Sequence, residues 1–242
     1  MLQSHVVSHP SLVLLPGMDG TGMLFEPLLD ALPADVSARV VRYPTDASLS
    51  YEALVTRVLA QLADDEPFVL VAESFSGPIA LRVAATRPAG LRAIVLCASF
   101  AISPVPVPAA LAKVARPRLL RAAPFSLQAP IMLGAGADAP LRGLLRSALE
   151  AVSPNVLAFR IGEVLRVDVT DALAACPVPL LYLRATRDRL VSARSRDHVV
   201  AHQPRASVVD IDGPHLLLQR RPAECWRAMV AFLDERLDPQ PG

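Results

Sequence analysis

Six short runs of apolar, often β-branched residues recur along the chain, separated by longer stretches with helical spacing, and this alternation restricts the fold more than any other feature. The runs are Ser11–Leu15, Ala38–Tyr43, Phe68–Ala72, Leu91–Cys97, Leu180–Arg184 and Ser207–Ile211. Most are apolar at every position rather than at alternate ones, the pattern of parallel strands covered on both faces. Between them, helices are expected over Met23–Leu32, Tyr51–Asp64, Phe75–Arg87, Ala193–His202 and Pro222–Leu237, the last opening with proline in its first turn. Strands that alternate with helices in this way build an α/β sheet with right-handed crossovers. From about Ser103 to Asp171 the rhythm stops: an Ala/Leu/Arg-rich helical pattern broken by Pro and Gly holds no strand. Ser153–Pro154 reads there as a helix cap followed by a first-turn proline. The domain division expected is a core of residues 1–102 and 172–242 with a helical insertion at 103–171, either a substrate lid or a set of extra packing helices.

The chain has 242 residues, enough for one large core with a modest insertion. Its 52% hydrophobic content does not imply membrane insertion, because stretches such as Ala93–Phe100 are too short to span a bilayer. The first ten residues carry neither Lys nor Arg and no apolar segment, unlike a secretory signal, so a cytoplasmic protein is expected. A net charge of +1 gives no field that would select nucleic acid or an acidic membrane. Cys97, Cys176 and Cys225 form no C-x-x-C pair and read as reduced structural thiols.

Four segments carry candidate chemistry. Phe68 to Ala80 passes from strand to helix with no room for a loop, and Ser74 stands at the corner. A nucleophile elbow strains its central residue and needs small neighbours two positions away on either side. Ala72 and Ser76 fill those positions, with Gly77 next. Taken alone, this match is equally compatible with a serine capping a helix. The second segment, Leu12-Val-Leu-Leu-Pro-Gly-Met-Asp-Gly-Thr-Gly22, is a glycine-rich turn after the first strand. It suits an oxyanion hole formed by the Met18 and Phe75 N–H groups. A phosphate cradle would use similar glycines, but G-x-x-G-x-G is not the dinucleotide spacing. Lys113, the one lysine in the chain, supplies neither a P-loop lysine nor a Tyr-x-x-x-Lys pair.

In the third segment, Leu180 to Val191, a strand runs out into a loop bearing Asp188, on the edge where α/β sheets place ligands. In the fourth, Val208 to Leu218, a strand ends at Gly213-Pro214 and His215 follows. Asp188 alone would read as a cap and His215 alone as a structural histidine. Their chain order after Ser74, each at a strand end, is that of a Ser-Asp-His triad. His198 and His202 have i, i+4 spacing, which suits either a metal pair or a solvated face. Glu73 precedes the elbow serine, and Arg116, Arg118 and Arg121 make a basic stretch that suits an acidic carrier or, more simply, solvent.

On the glycine turn, the elbow at Ser74, D-x-x-V at Asp188 and G-x-H at His215, the chain resembles the α/β-hydrolase superfamily over nearly its whole length. Within it, the chain is similar to small lidded bacterial serine esterases, among them pimeloyl-carrier-protein methyl esterases. The resemblance implies an α/β-hydrolase fold with a mostly parallel sheet of about six strands and a helical lid at 103–171. It also implies a catalytic Ser74, Asp188 and His215 and an oxyanion hole of Met18 and Phe75, and nothing in the sequence calls for a metal or organic cofactor. Pro16-Gly17 stands where the family has His-Gly, and no strand pattern precedes Ser11. The expected activity is cleavage of a carboxylic ester of a small or medium acyl group. The alternatives are a thioesterase on acyl-carrier or coenzyme A thioesters, and a non-catalytic receptor on the same fold. The expected partners are a small-molecule ester and an acyl carrier protein, with neither nucleic acid nor a membrane span.

Overall fold

The computed structural model describes residues 10–62, 66–105 and 125–237. Six parallel strands form one sheet in the order β2-β1-β3-β4-β5-β6. They are β1 (Ser11–Leu15), β2 (Ala38–Val40), β3 (Phe68–Glu73), β4 (Leu91–Cys97), β5 (Leu180–Ala185) and β6 (Ser207–Ile211). The helices are α1 (Glu26–Ala31), α2 (Tyr51–Leu59), α3 (Gly77–Ala85), α4 (Phe125–Leu133), α5 (Ala139–Glu150) and α6 (Pro154–Arg166), followed by α7 (Thr170–Ala174), α8 (Ala193–His202), α9 (Leu217–Arg220) and α10 (Pro222–Leu237). Among the described residues, no helix is long and apolar enough to cross a membrane.

The period-2 geometry of a strand divides each apolar run between two cores. Leu12 and Leu14 of β1, Val69 and Val71 of β3 and Leu181 and Leu183 of β5 pack on one face with Met229 and Phe232 of α10. Val13 and Leu15, Leu70 and Ala72, and Leu180 and Tyr182 pack on the other with Leu54 of α2 and Ile79 of α3. Both faces are therefore dry, which is why the runs show no polar alternation. Helices α4 to α7 follow β4 and precede β5. Leu133, Leu145 and Ala148 of α4 and α5 build a separate small core with Leu24 and Leu216.

Several boundaries and one cap differ from the sequence pattern: α2 ends at Leu59, short of the expected Asp64, and α3 spans Gly77–Ala85 within the expected Phe75–Arg87. β2 stops at Val40, although the apolar run continues to Tyr43. Beyond it Val41 still donates to Leu14 O at 2.9 Å, while the Tyr43 N–H bends away to Gly20 O at 2.8 Å. The helix expected from Met23 opens as a 3-10 turn, Met23–Phe25, before α1. Ser153 stands at the N-cap of α6, but its hydroxyl makes no capping bond; its backbone N–H instead reaches Thr45 O at 2.8 Å. Arg116, Arg118 and Arg121 lie outside the described residues.

The chain crosses from β1 to β2 on one side and returns to β3 on the other side of β1. The carboxyl ends of β1 and β3 thus flank the topological switch point, where open α/β sheets leave a crevice for ligands. The glycine turn leaves β1 and the Ser74 elbow leaves β3 at this place.

Candidate active site

The elbow is strained in the way its sequence predicts. Ser74 has φ 48°, in the left-handed region that non-glycine residues avoid. The residue opens a 3-10 turn, Ser74–Ser76, that runs directly into α3. Neighbouring groups hold this turn. Ser99 Oγ donates to Ser74 O at 2.6 Å, and Tyr182 Oη donates to Ser99 O at 2.6 Å. Gly77 is required by close approach: a Cβ there would lie 2.0 Å from Ser99 Oγ. Ser76 occupies the position where the elbow motif has glycine, and its hydroxyl is put to use. It donates to Pro16 O and accepts from Tyr43 Oη, the latter at 2.7 Å.

Around Ser74 the three separate sequence positions meet. His215 Nε2 lies 2.9 Å from Ser74 Oγ, and His215 Nδ1 lies 2.8 Å from Asp188 Oδ2. The other oxygen of Asp188 accepts from the Leu190 and Val191 N–H groups at 2.8 and 2.9 Å, which fixes the carboxylate plane. Backbone pairing continues past the ends of β5 and β6, with Thr186 N to Ile211 O at 3.0 Å and Arg187 N to Gly213 O at 2.9 Å. That pairing brings the loops of Asp188 and His215 together. Helix α4 ends on the histidine loop, where Met132 O accepts from Leu216 N at 2.9 Å.

His215 and Ser74 are both buried. Burial disfavours the imidazolium, yet the Asp188 charge and hydrogen bond, with a smaller contribution from Glu73, hold the His215 pKa above its ordinary value of 6.5. Glu73, fully buried, is pushed up to about 7 by desolvation, which the Gln219 hydrogen bond at 3.3 Å and the His215 charge only partly oppose. Its Oε1 has no hydrogen-bond partner among the described residues.

Met18 and Phe75, the expected oxyanion donors, sit on the two segments that leave β1 and β3. The Phe75 N–H lies in the first turn after the corner, where helical N–H groups have no intrahelical acceptor. In the glycine turn the internal bond runs from Gly20 N to Gly17 O at 3.0 Å and does not involve the Met18 N–H. His198 and His202 stack at 4.1 Å between centroids, with His198 Nε2 2.9 Å from Thr170 Oγ1. Among the described residues, no cluster of three or more His, Cys, Asp or Glu side chains could hold a metal ion.

Sequence reasoning missed Arg160, a buried residue of α6 whose guanidinium reaches the glycine turn. A signal was available: Val156, Arg160 and Val164 follow i, i+4 spacing, so the arginine stands within an apolar stripe. Tyr43, Ser99 and Tyr182 gave no local signal, because each acts on a residue distant in sequence.

A parallel sheet with a strained serine at a strand–helix corner, hydrogen-bonded to a histidine and through it to an aspartate, defines the α/β hydrolases. The chain belongs to the alpha/beta hydrolase family, whose model matches residues 12–228, and it is a hydrolase. It is 28% identical over 265 residues to the pimeloyl-[acyl-carrier protein] methyl ester esterase of Xanthomonas campestris pv. campestris, covering 94% of this chain and 98% of that protein. Solved structures of similar fold include a hydrolase from Pseudomonas aeruginosa PA01, with TM-score 0.75, 21% identity and coverage of 94% of this chain and 91% of that one. The enol-lactonase from Burkholderia xenovorans LB400 has TM-score 0.74, 19% identity and coverage of 93% and 91%.

Proposed function

We propose that this hydrolase cleaves a carboxylic ester of a small or medium acyl group through an acyl-enzyme on Ser74. The observation that carries the proposal is the continuous hydrogen-bonded chain from Ser74 Oγ through both nitrogens of His215 to Asp188. In this reading His215 takes the hydroxyl proton as Ser74 Oγ attacks the acyl carbonyl, and Asp188 holds the imidazole tautomer. The Met18 and Phe75 N–H groups stabilise the tetrahedral oxyanion. His215 then returns its proton to the departing alcohol, and a water activated by the same residue releases the acyl group. Helices α4 to α6, within the 103–171 insertion, serve as a lid over the crevice at the ends of β1 and β3. The similarity to an esterase that acts on an acyl-carrier protein ester supports carrier-bound acyl esters as candidate substrates.

The test is a fluorophosphonate probe together with p-nitrophenyl esters of graded acyl length and matching acyl thioesters. Ser74 should be labelled, and Ser74→Ala should lose label and about 10⁴-fold or more in kcat. A Ser74→Ala variant with wild-type turnover would sink the proposal. A higher kcat/KM on thioesters would make the protein a thioesterase instead.

A further inference from the structure

Every carbonyl of the glycine turn from Gly17 to Gly20 is hydrogen-bonded. Gly17 O accepts from Gly20 N within the turn, and Gly20 O accepts from Tyr43 N at 2.8 Å. The two between them, Met18 O and Asp19 O, are held by a single side chain from the insertion: Arg160 Nη1, at 2.7 and 2.9 Å. Arg160 Nη2 reaches Pro44 O at 2.8 Å, tying the segment after β2 to the same point. The guanidinium lies beside the rings of Tyr43 and Phe75, with its central carbon 5.8 and 5.9 Å from their centroids. Asp19 does not take the cation as an ion-pair partner. Its carboxylate is turned to its own loop, where Oδ1 accepts from the Thr21 N–H and hydroxyl. A buried arginine bonded to neutral carbonyls is a costly arrangement: desolvation works against the cation, and the nearby Asp19 charge acts on it without a direct ion pair. The turn is also built to admit it. Gly20 has φ 72°, and a Cβ there would lie 2.7 Å from Arg160 Nη1.

We propose that Arg160 is a positioning residue for oxyanion stabilisation, holding the Gly17–Gly20 turn from the insertion so that the Met18 N–H stays aimed at the Ser74 reaction centre. The inference rests on the reading of Ser74 as nucleophile and Met18 as donor. An N–H donor contributes to catalysis only if its peptide is already oriented when charge develops on the substrate oxygen. Gly20 N holds the Gly17–Met18 peptide at Gly17 O, and Arg160 fixes the two peptides that follow it, so the turn that carries the Met18 N–H is tied along its length. Helix α6 thereby becomes part of the active-site scaffold on the glycine-turn side, while α4 and α5 meet the histidine loop through Leu216.

The experiment compares full-length wild type, Arg160→Lys and Arg160→Ala by steady-state kinetics on a p-nitrophenyl ester. It adds inhibition by a trifluoromethyl ketone analogue of the same acyl group, whose hemiketal oxyanion occupies the hole. The expected result is a kcat lower by about 10²-fold, the scale of losing one oxyanion donor, with KM changed by less than about threefold. Affinity for the ketone should fall in parallel with kcat. Guanidinium ion at millimolar concentration should partly restore kcat in Arg160→Ala, while equal sodium chloride should not. A lowered melting temperature with kcat and ketone affinity unchanged would make Arg160 a brace alone and overturn the proposal, as would failure of both variants to fold. If wild type itself is not labelled at Ser74 by the fluorophosphonate, the nucleophile assignment fails; labelled wild type with unaffected variants removes only the role of Arg160.

Discussion

Glu73 stands one residue before the elbow serine with its carboxyl fully buried, and its charge is felt by His215. A general base works only when unprotonated, so activity should rise with pH through the His215 pKa, which lies above 6.5. The acid limb of kcat/KM is therefore expected above pH 6.5. Removing the Glu73 charge should lower the His215 pKa and move that limb to lower pH. A kcat/KM profile between pH 5 and 9 for wild type and Glu73→Gln checks this, and a limb that stays in place would show that Glu73 remains neutral whenever His215 titrates. Ser74, Asp188 and His215 were legible because each sits just beyond an apolar run; the partners of Glu73 were not, since Gln219 lies on a helix that only folding brings beneath β3.

At the scale of elements, the strand–corner–helix unit explains how a motif without its usual second glycine still forms the elbow. The Ser76 hydroxyl joins Pro16 at the end of β1 to Tyr43 beyond β2. Ser76→Ala would leave the Pro16 carbonyl buried without this donor, at a cost of about 1–3 kcal/mol. Urea denaturation should show a lower midpoint with the slope unchanged; an equal midpoint would mean that the hydroxyl contributes nothing to the junction. Strands β1 and β4 coincide with their apolar runs because packing on both faces buries nearly all of their residues, and β6 at the far edge keeps the bounds of its run although Asp210 is exposed. β2 falls short of its run since it lies at the sheet edge, where a tertiary bond to Gly20 diverts the chain. α9 has only four residues and offers no helical period to read.

For the whole molecule, the buried acid makes stability depend on pH in an unusual direction. Glu73 ionises near 4.5 when unfolded and near 7 when folded, so between these values the folded state binds more protons. Its stabilising contribution is complete below 4.5 and is lost as pH rises through about 7. His215, with its folded pKa above 6.5, acts in the same direction at the upper end of that window. Wild type should therefore lose more stability between pH 5 and pH 8 than Glu73→Gln, by on the order of 2 kcal/mol. Guanidinium chloride unfolding of both proteins at the two pH values measures this difference, and parallel losses would rule it out.

The sequence by itself determined the sheet, the chain order of Ser74, Asp188 and His215, and the placement of each at a strand end. These follow from local facts: short, largely apolar runs, and the turns with polar groups that end them. Tertiary structure alone decided that the three side chains stand within hydrogen-bond distance, that Ser76 replaces a glycine by bridging two other segments, and that Arg160 crosses from the insertion to the glycine turn. Those contacts join residues far apart in the chain, and their energies depend on burial and orientation, which no local pattern of residues encodes.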